Sequence, residues 1–155
     1  MSTFSLEVTY AQVAVFDTCL KHPFNDWSDE HVAQGFAWRP GSVSFSTLEP
    51  AGELVVRVER SAASPDVTNA ERAISVPFSV PIHGAIEIAT IARSFAIEFV
   101  AGEYELSFVH GRRIDGTMTA TFHFRPVESQ TNPKILRADS ALAPAPEFVM
   151  NAHPA

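Results

Sequence analysis

Alternation of apolar and polar side chains recurs along this chain in one segment after another, and it commits the chain to half-buried β-strands, because successive side chains of a strand point to opposite faces. Between 53 and 60, Leu54, Val56 and Val58 form one face while Arg57 and Glu59 form the other. Phe95, Ile97 and Phe99 stand against Glu98, and Tyr104, Leu106 and Phe108 against Glu105 and Ser107. The longest example sets Met118, Ala120, Phe122 and Phe124 against Thr117, Thr119, Thr121, His123 and Arg125. Apolar, β-branched runs predict further strands over 4–9, 12–17, 42–47, 72–80, 85–89 and 134–138. Glu49-Pro50-Ala51-Gly52, Ser64-Pro65-Asp66, His83-Gly84, Ala101-Gly102 and Asp115-Gly116 are the turns between them.

So many short strands of antiparallel character predict an all-β domain, a two-sheet antiparallel β-sandwich over residues 1–138, with a flattened barrel as the nearest alternative. A chain of 155 residues buries roughly two-thirds of its unfolded surface, enough for a core without staples. Pro77 and Pro81 cannot donate to a ladder, so the strand around Phe78 is expected at a sheet edge or bulge. Residues 139–155 are rich in Pro and Ala and without periodicity; they read as a mobile or extended C-terminal tail, in which Phe148-Val149-Met150 offers an apolar patch for docking.

One segment breaks the β pattern. In Asp26-Trp27-Ser28-Asp29-Glu30-His31, Ser28 is a good N-cap, Asp29 and Glu30 fall on the first turn, and Gly35 suits a left-handed stop. A short helix over 29–34 follows, and Trp27 and Val32 have the spacing of a hydrophobic staple. The same segment lies in the acidic part of the chain. Residues 1–59 carry eight acids and three bases, and so five of the seven net negative charges. A surface of that sign repels phosphate and attracts basic partners, which argues against direct nucleic-acid binding.

The string Asp26-Trp27-Ser28-Asp29-Glu30, then Gly35-Phe36, Ser42-Val43-Ser44-Phe45, Val76-Pro77-Phe78 and Gly102-Glu103-Tyr104-Glu105-Leu106, resembles the competence protein J family over residues 4–125. The described role of that family is inhibition of the DNA-entry nuclease of competent bacteria. The resemblance implies a nuclease as protein partner and brings no catalytic signature or binding residue with it.

The chemistry legible in the residues themselves is sparse. A single cysteine, Cys19, excludes an internal disulfide and reads as a small packing residue. There is no Gly-x-Ser-x-Gly, phosphate-loop or dinucleotide fingerprint. His22, Asp26 and His31 lie close in sequence, but their spacing fits no compact metal motif, and surface or cap-associated histidines are the simpler reading. His123 and Arg125 fall on a solvated strand face by alternation, and His110, at a strand end, is a weak pocket candidate. The N-terminus has neither basic nor apolar signal region, and no apolar run reaches the roughly 18 residues of a membrane span, so a soluble, cytoplasmic protein is expected.

The charge pattern alone implies a basic partner, and with what the resemblance implies the expectation is an inhibitor that lodges an acidic surface in the basic groove of a nuclease. Asp26, Asp29 and Glu30 would be its charges, Trp27 its aromatic anchor, and Glu49 and Glu53 its rim, with no catalytic residue, no cofactor and no metal. The simpler account of the helix acids is capping and helix-dipole stabilisation of about 0.3–1 kcal/mol each. Two alternatives stand beside the inhibitor. One is a small-ligand or metal-dependent β-sandwich enzyme using His22, His31 or His110; the other is an assembly module that forms homo-oligomers through the Pro77–Pro81 edge or the C-terminal tail.

Overall fold

The computed structural model describes residues 2–155. Among these described residues eleven strands and one helix follow in the order β1 Ser2–Val8, β2 Gln12–Asp17, α1 Asp29–Gln34, β3 Phe36–Arg39, β4 Ser42–Ser46, β5 Gly52–Arg60, β6 Arg72–Val80, β7 Ala85–Ala89, β8 Ser94–Glu98, β9 Gly102–Arg112, β10 Met118–Val127 and β11 Lys134–Arg137. They form two sheets, β1-β5-β10-β9-β6-β11 and β3-β4-β2-β7-β8. This is the expected all-β sandwich with one short helix. Neighbours run antiparallel except β5 and β10, which pair in parallel with Leu54 opposite Met118 and Val58 opposite Phe122. No helix among the described residues is long and apolar enough to cross a membrane.

Alternation decides what lies between the sheets. Leu54, Val56 and Val58 of β5, Leu106 and Phe108 of β9 and Phe122 and Phe124 of β10 point inward and meet Val13, Val15, Val43, Phe45, Ile86 and Ile88 of the other sheet. Phe45 stacks on Phe108 with ring centroids 4.7 Å apart, which ties the two layers at their centre. Each such ring, fully buried, contributes about 3 kcal/mol against exposure. Along one side of the sandwich Phe4 of β1 stacks on Phe95 of β8 at 4.3 Å. Along the other, the Trp38 indole N–H of β3 donates to the Pro77 carbonyl of β6 at 2.7 Å. β11 pairs with β6 only over Ala73–Ser75, so at Pro77 the strand is an edge.

Three local expectations are revised by the tertiary structure. β3 adds a strand that the pattern does not predict: Phe36-Ala37-Trp38-Arg39 is too short to show alternation, and it pairs with β4 directly after the helix stop. His123 does lie on the outward face of β10, but it is buried rather than solvated, because Ala63 roofs it. Its ring nitrogens meet the Glu59 carboxylate at 2.8 Å and the Ala63 carbonyl at 2.7 Å. The described residues after β11 form no helix or strand, and they lie hydrogen-bonded along α1 and β3. Arg72, buried, grips Asp139 through two bonds of 2.7 and 2.9 Å. Beyond it Leu142 packs on the core, Phe148 meets Phe36 with centroids 5.6 Å apart, and the Ala152 N–H donates to the Trp38 carbonyl at 2.9 Å.

Candidate partner-binding surface

α1 is short, and its ends are built to hold it. Ser28, in the extended region at φ −86°, accepts from the His31 N–H at 3.3 Å, while its own N–H donates to His31 Nδ1 at 3.0 Å. The pair is a capping box in which histidine takes the place usually filled by Glu or Gln. Gly35 ends the helix at φ +87° and donates its N–H to the His31 carbonyl at 2.9 Å. A Cβ at Gly35 would stand 2.8 Å from Leu142 and 2.9 Å from Ile74, so the C-terminal segment crosses close against the stop. Gln34 completes the contact: its amide N–H donates to the Val149 carbonyl at 2.9 Å and its carbonyl accepts from the Val149 N–H at 3.0 Å.

The staple is altered in detail. Val32 is 58% exposed, and the ring facing Trp27 is His31, edge-on at 6.4 Å. The Trp27 indole N–H donates to Gln12 Oε1 at 3.1 Å, which fixes the ring against the start of β2. Trp27 and Val32 then line an apolar groove with Ala11 and Tyr10, and Tyr10 is 79% exposed. Tyr10 and Ala11 both sit in the left-handed region, at φ 57° and 56°, in the turn by which the chain passes from one sheet to the other. Side chains rarely adopt that conformation, and it presents Tyr10 to solvent beside the acidic helix.

Asp26, Asp29 and Glu30 are all exposed, and no Lys or Arg among the described residues pairs with any of them. Glu30 is held below the usual carboxylate range by the backbone N–H at the helix start and by the Ser28 hydroxyl, so it is anionic at neutral pH. Asp26 is anchored through its backbone, whose N–H donates to the His153 carbonyl at 2.8 Å. The structure adds an acid that sequence reasoning missed. Glu147, exposed on the C-terminal segment, shares a shallow pocket with Asp29 and Glu30 above Ala33 and Gln34. The available signal was an acid next to Phe148, an apolar residue with reason to dock.

The two rim acids lie elsewhere. Glu49, exposed, is paired with Arg112 at 2.9 Å, and the same guanidinium holds Glu71 at 2.9 Å. Glu53 is on β5 opposite Glu7 of β1 and accepts from the Ser5 hydroxyl at 3.1 Å. Among the described residues no hydrogen bond or ion pair joins either to the helix acids. His22, Asp26 and His31 do not converge either: His31 is buried with Nδ1 taken by Ser28, and its burial pulls it below its ordinary value of 6.5 against the pull of Glu30. His110 is fully buried between the Leu48 N–H at 3.0 Å and the Thr119 carbonyl at 2.6 Å, so it serves the core.

A family model described as competence protein J (ComJ) matches residues 5–127. The chain belongs to the competence protein J family. It is similar to a Bacillus subtilis (strain 168) protein named DNA-entry nuclease inhibitor, with 26% identity over 102 residues that span 66% of this chain and 76% of that one. Its fold is similar to that of the Bacillus subtilis ComJ crystal structure, described as an inhibitor of the DNA degrading activity of NucA. The TM-score is 0.69 at 23% identity, covering 82% of this chain and 96% of that chain.

Proposed function

We propose that this protein inhibits a DNA-degrading nuclease of the DNA-entry kind by occupying the nuclease's DNA groove. The observation that carries the reading is the set of three exposed anions, Asp29 and Glu30 on a helix capped at both ends and Asp26 just before its cap, none paired with a Lys or Arg among the described residues. A nuclease must offer cationic groups to a phosphate backbone, and a rigid row of carboxylates competes for the same groups. The adjoining Tyr10, Trp27 and Val32 add apolar area of the kind that anchors interfaces. Glu147 extends the row from the docked C-terminal segment, and Glu49, already neutralised by Arg112, contributes little. The family relatives support inhibition, and the charge placement supports this surface as the means.

Charge complementarity acts mainly on the rate of encounter. Replacing Asp29→Asn and Glu30→Gln together is expected to slow association with the nuclease roughly 10-fold at low salt and to flatten its salt dependence. Stopped-flow binding at two ionic strengths reads both. An unchanged rate would remove this helix from the interface.

A further inference from the structure

At the far end of β2 from Trp27, three side chains of different chemistry meet. Asp17 closes β2, Cys19 follows two residues later, and His83 lies in the turn between β6 and β7. Antiparallel pairing of β2 with β7, with Asp17 opposite Ile86, brings these ends together across 64 residues of sequence. The His83 Nε2 is 3.0 Å from Asp17 Oδ1 and 3.4 Å from Cys19 Sγ, and the three ligand atoms all lie within 4.8 Å of one another.

Backbone bonds fix the arrangement from both sides. The Asp17 N–H donates to the Gly41 carbonyl at 2.9 Å, and the Cys19 N–H donates to Asp17 Oδ1 at 2.9 Å. On the opposite turn the Gly84 N–H donates to the Pro81 carbonyl at 2.8 Å, and the Phe99 N–H to the Gly84 carbonyl at 2.7 Å. Gly84 is required there: at φ +72°, a Cβ would lie 2.6 Å from the Phe99 carbonyl oxygen. The Ala85 N–H donates to His83 Nδ1 at 3.1 Å and so turns Nε2 toward the other two groups.

Both partners therefore address the same ring nitrogen. A nucleophilic relay requires the acid and the thiol on opposite nitrogens, so the geometry does not make a Cys-His-Asp triad. Three donors converging on one point instead have the form of a cation site. Tetrahedral bonds to zinc of ordinary length place N and O ligands about 3.4 Å apart and S and N ligands about 3.6 Å apart. The two separations from His83 Nε2, 3.0 and 3.4 Å, lie slightly inside those values, so binding would lengthen both by a few tenths of an ångström. A set of one sulfur, one imidazole and one carboxylate suits a borderline dication and not Ca²⁺ or Mg²⁺, which take oxygen ligands.

We propose that Asp17, Cys19 and His83 form a surface site for a zinc-class dication, with water as the fourth ligand. On binding, the Cys19 thiol proton leaves to solvent and the His83 ring proton moves from Nε2 to Nδ1. The Ala85 N–H then loses its acceptor, and the exposed His83 ring tilts about its side-chain torsions so that Nδ1–H meets water while the turn backbone stays in place. Thiolate and carboxylate together neutralise the ion. The site is separate from the α1 surface, so its outcome and that of the inhibitor reading are independent.

Chelator-treated, reduced full-length protein titrated with Co²⁺ is expected to take up one equivalent. Near-ultraviolet thiolate-to-cobalt charge transfer should appear together with the visible bands of a tetrahedral ion, and Zn²⁺ should abolish both. Cys19→Ser should remove the charge-transfer band, and His83→Ala should weaken binding at least 10-fold, while His22→Ala leaves the titration unchanged. Cys19 is exposed and His83 is in a turn, so circular dichroism should show both variants folded. Absence of the thiolate band in the unaltered protein, or a titration that Cys19→Ser leaves intact, overturns the site.

Discussion

Glu105 and Asp29 are both carboxylates of a chain with net charge −7, yet Glu105 is buried between two bases while Asp29 stands exposed with none beside it. On the outer face of the six-stranded sheet, Arg125 reaches Glu105 at 3.1 Å and Lys134 reaches it at 3.2 Å. In the next row Glu59 accepts from His123 at 2.8 Å and pairs with Arg57 at 3.4 Å. Arg112 takes Glu49 and Glu71, and Arg72 takes Asp139. Arg57, Arg72, Arg112, Arg125 and Lys134 are thus spent on acids of the larger sheet and its margins, and none of them reaches Asp29 or Glu30 of α1. Net charge in the sequence says how much anion is unpaired, and the fold says where. A region whose acids are all paired contributes to holding the molecule together, whereas a region whose acids are bare is free to act on something else.

The largest effect that sharpens this contrast lies inside the larger sheet, where titratable groups serve stability. Burial, reinforced by the nearby charges of Arg72 and Arg112, pulls His110 from 6.5 to about 4, against the pull of the Thr119 carbonyl and Asp139. A depressed value means that the neutral ring is the native form. Its contribution is complete above pH 6.5 and is lost as pH falls toward about 4, because the unfolded chain takes up a proton that the folded one refuses. The drop over that window is about 3 kcal/mol, readable by urea denaturation at a series of pH values. His110→Gln should flatten the profile there. If the unaltered protein shows no acid loss above pH 4.5, the neutral buried ring is wrong.

Glu105→Gln is expected to cost about 2 kcal/mol, since the charge-assisted bonds from two bases to a buried acceptor are weakened. Burial raises this carboxyl, but Arg125 and Lys134 outweigh it and hold the group below its ordinary value of 4.5. The stabilisation is therefore present above that value and disappears as pH falls through the lower native one. Nuclease inhibition by Glu105→Gln should match that of the unaltered chain, and a loss of inhibition at full folding would place the interface on the sheet instead of the helix.

Much of this arrangement was legible in the chain itself. Alternation located the strands because one face of each meets the core, and the Ser28 and Gly35 signals bounded α1 because capping is local chemistry. The placement of Asp26, Asp29 and Glu30 on the surface followed from the same signals. What escaped depended on contacts distant in sequence. His123 obeys alternation and is still buried, because the cover at Ala63 comes from another loop. β3 is a strand by pairing, not by pattern. The segment from Asp139 has no periodicity to read, and it is held by Arg72, Gln34 and Trp38, none of which announces that role. Glu147 joined the helix acids only through that docking. The meeting of Asp17, Cys19 and His83 likewise depends on a strand pairing that no local spacing records.

The smallest effect is the most discriminating. Asp29→Asn with Glu30→Gln removes two exposed charges from the first turn of α1, where they favour the helix only through its exposed N–H groups. Those N–H groups keep their solvent, Ser28 keeps its cap to His31, and Gly35, Gln34 and the C-terminal segment are untouched. Unfolding free energy should therefore fall by no more than about 1 kcal/mol. Less mutual repulsion among Asp26, Asp29, Glu30 and Glu147 works in the opposite direction, and added salt, which screens that repulsion, should help the unaltered chain more than the variant. A loss well above 1 kcal/mol would mean that these carboxylates hold the fold as Glu105 does. The distinction between paired and bare acids would then collapse, and with it the reason to assign them to a partner.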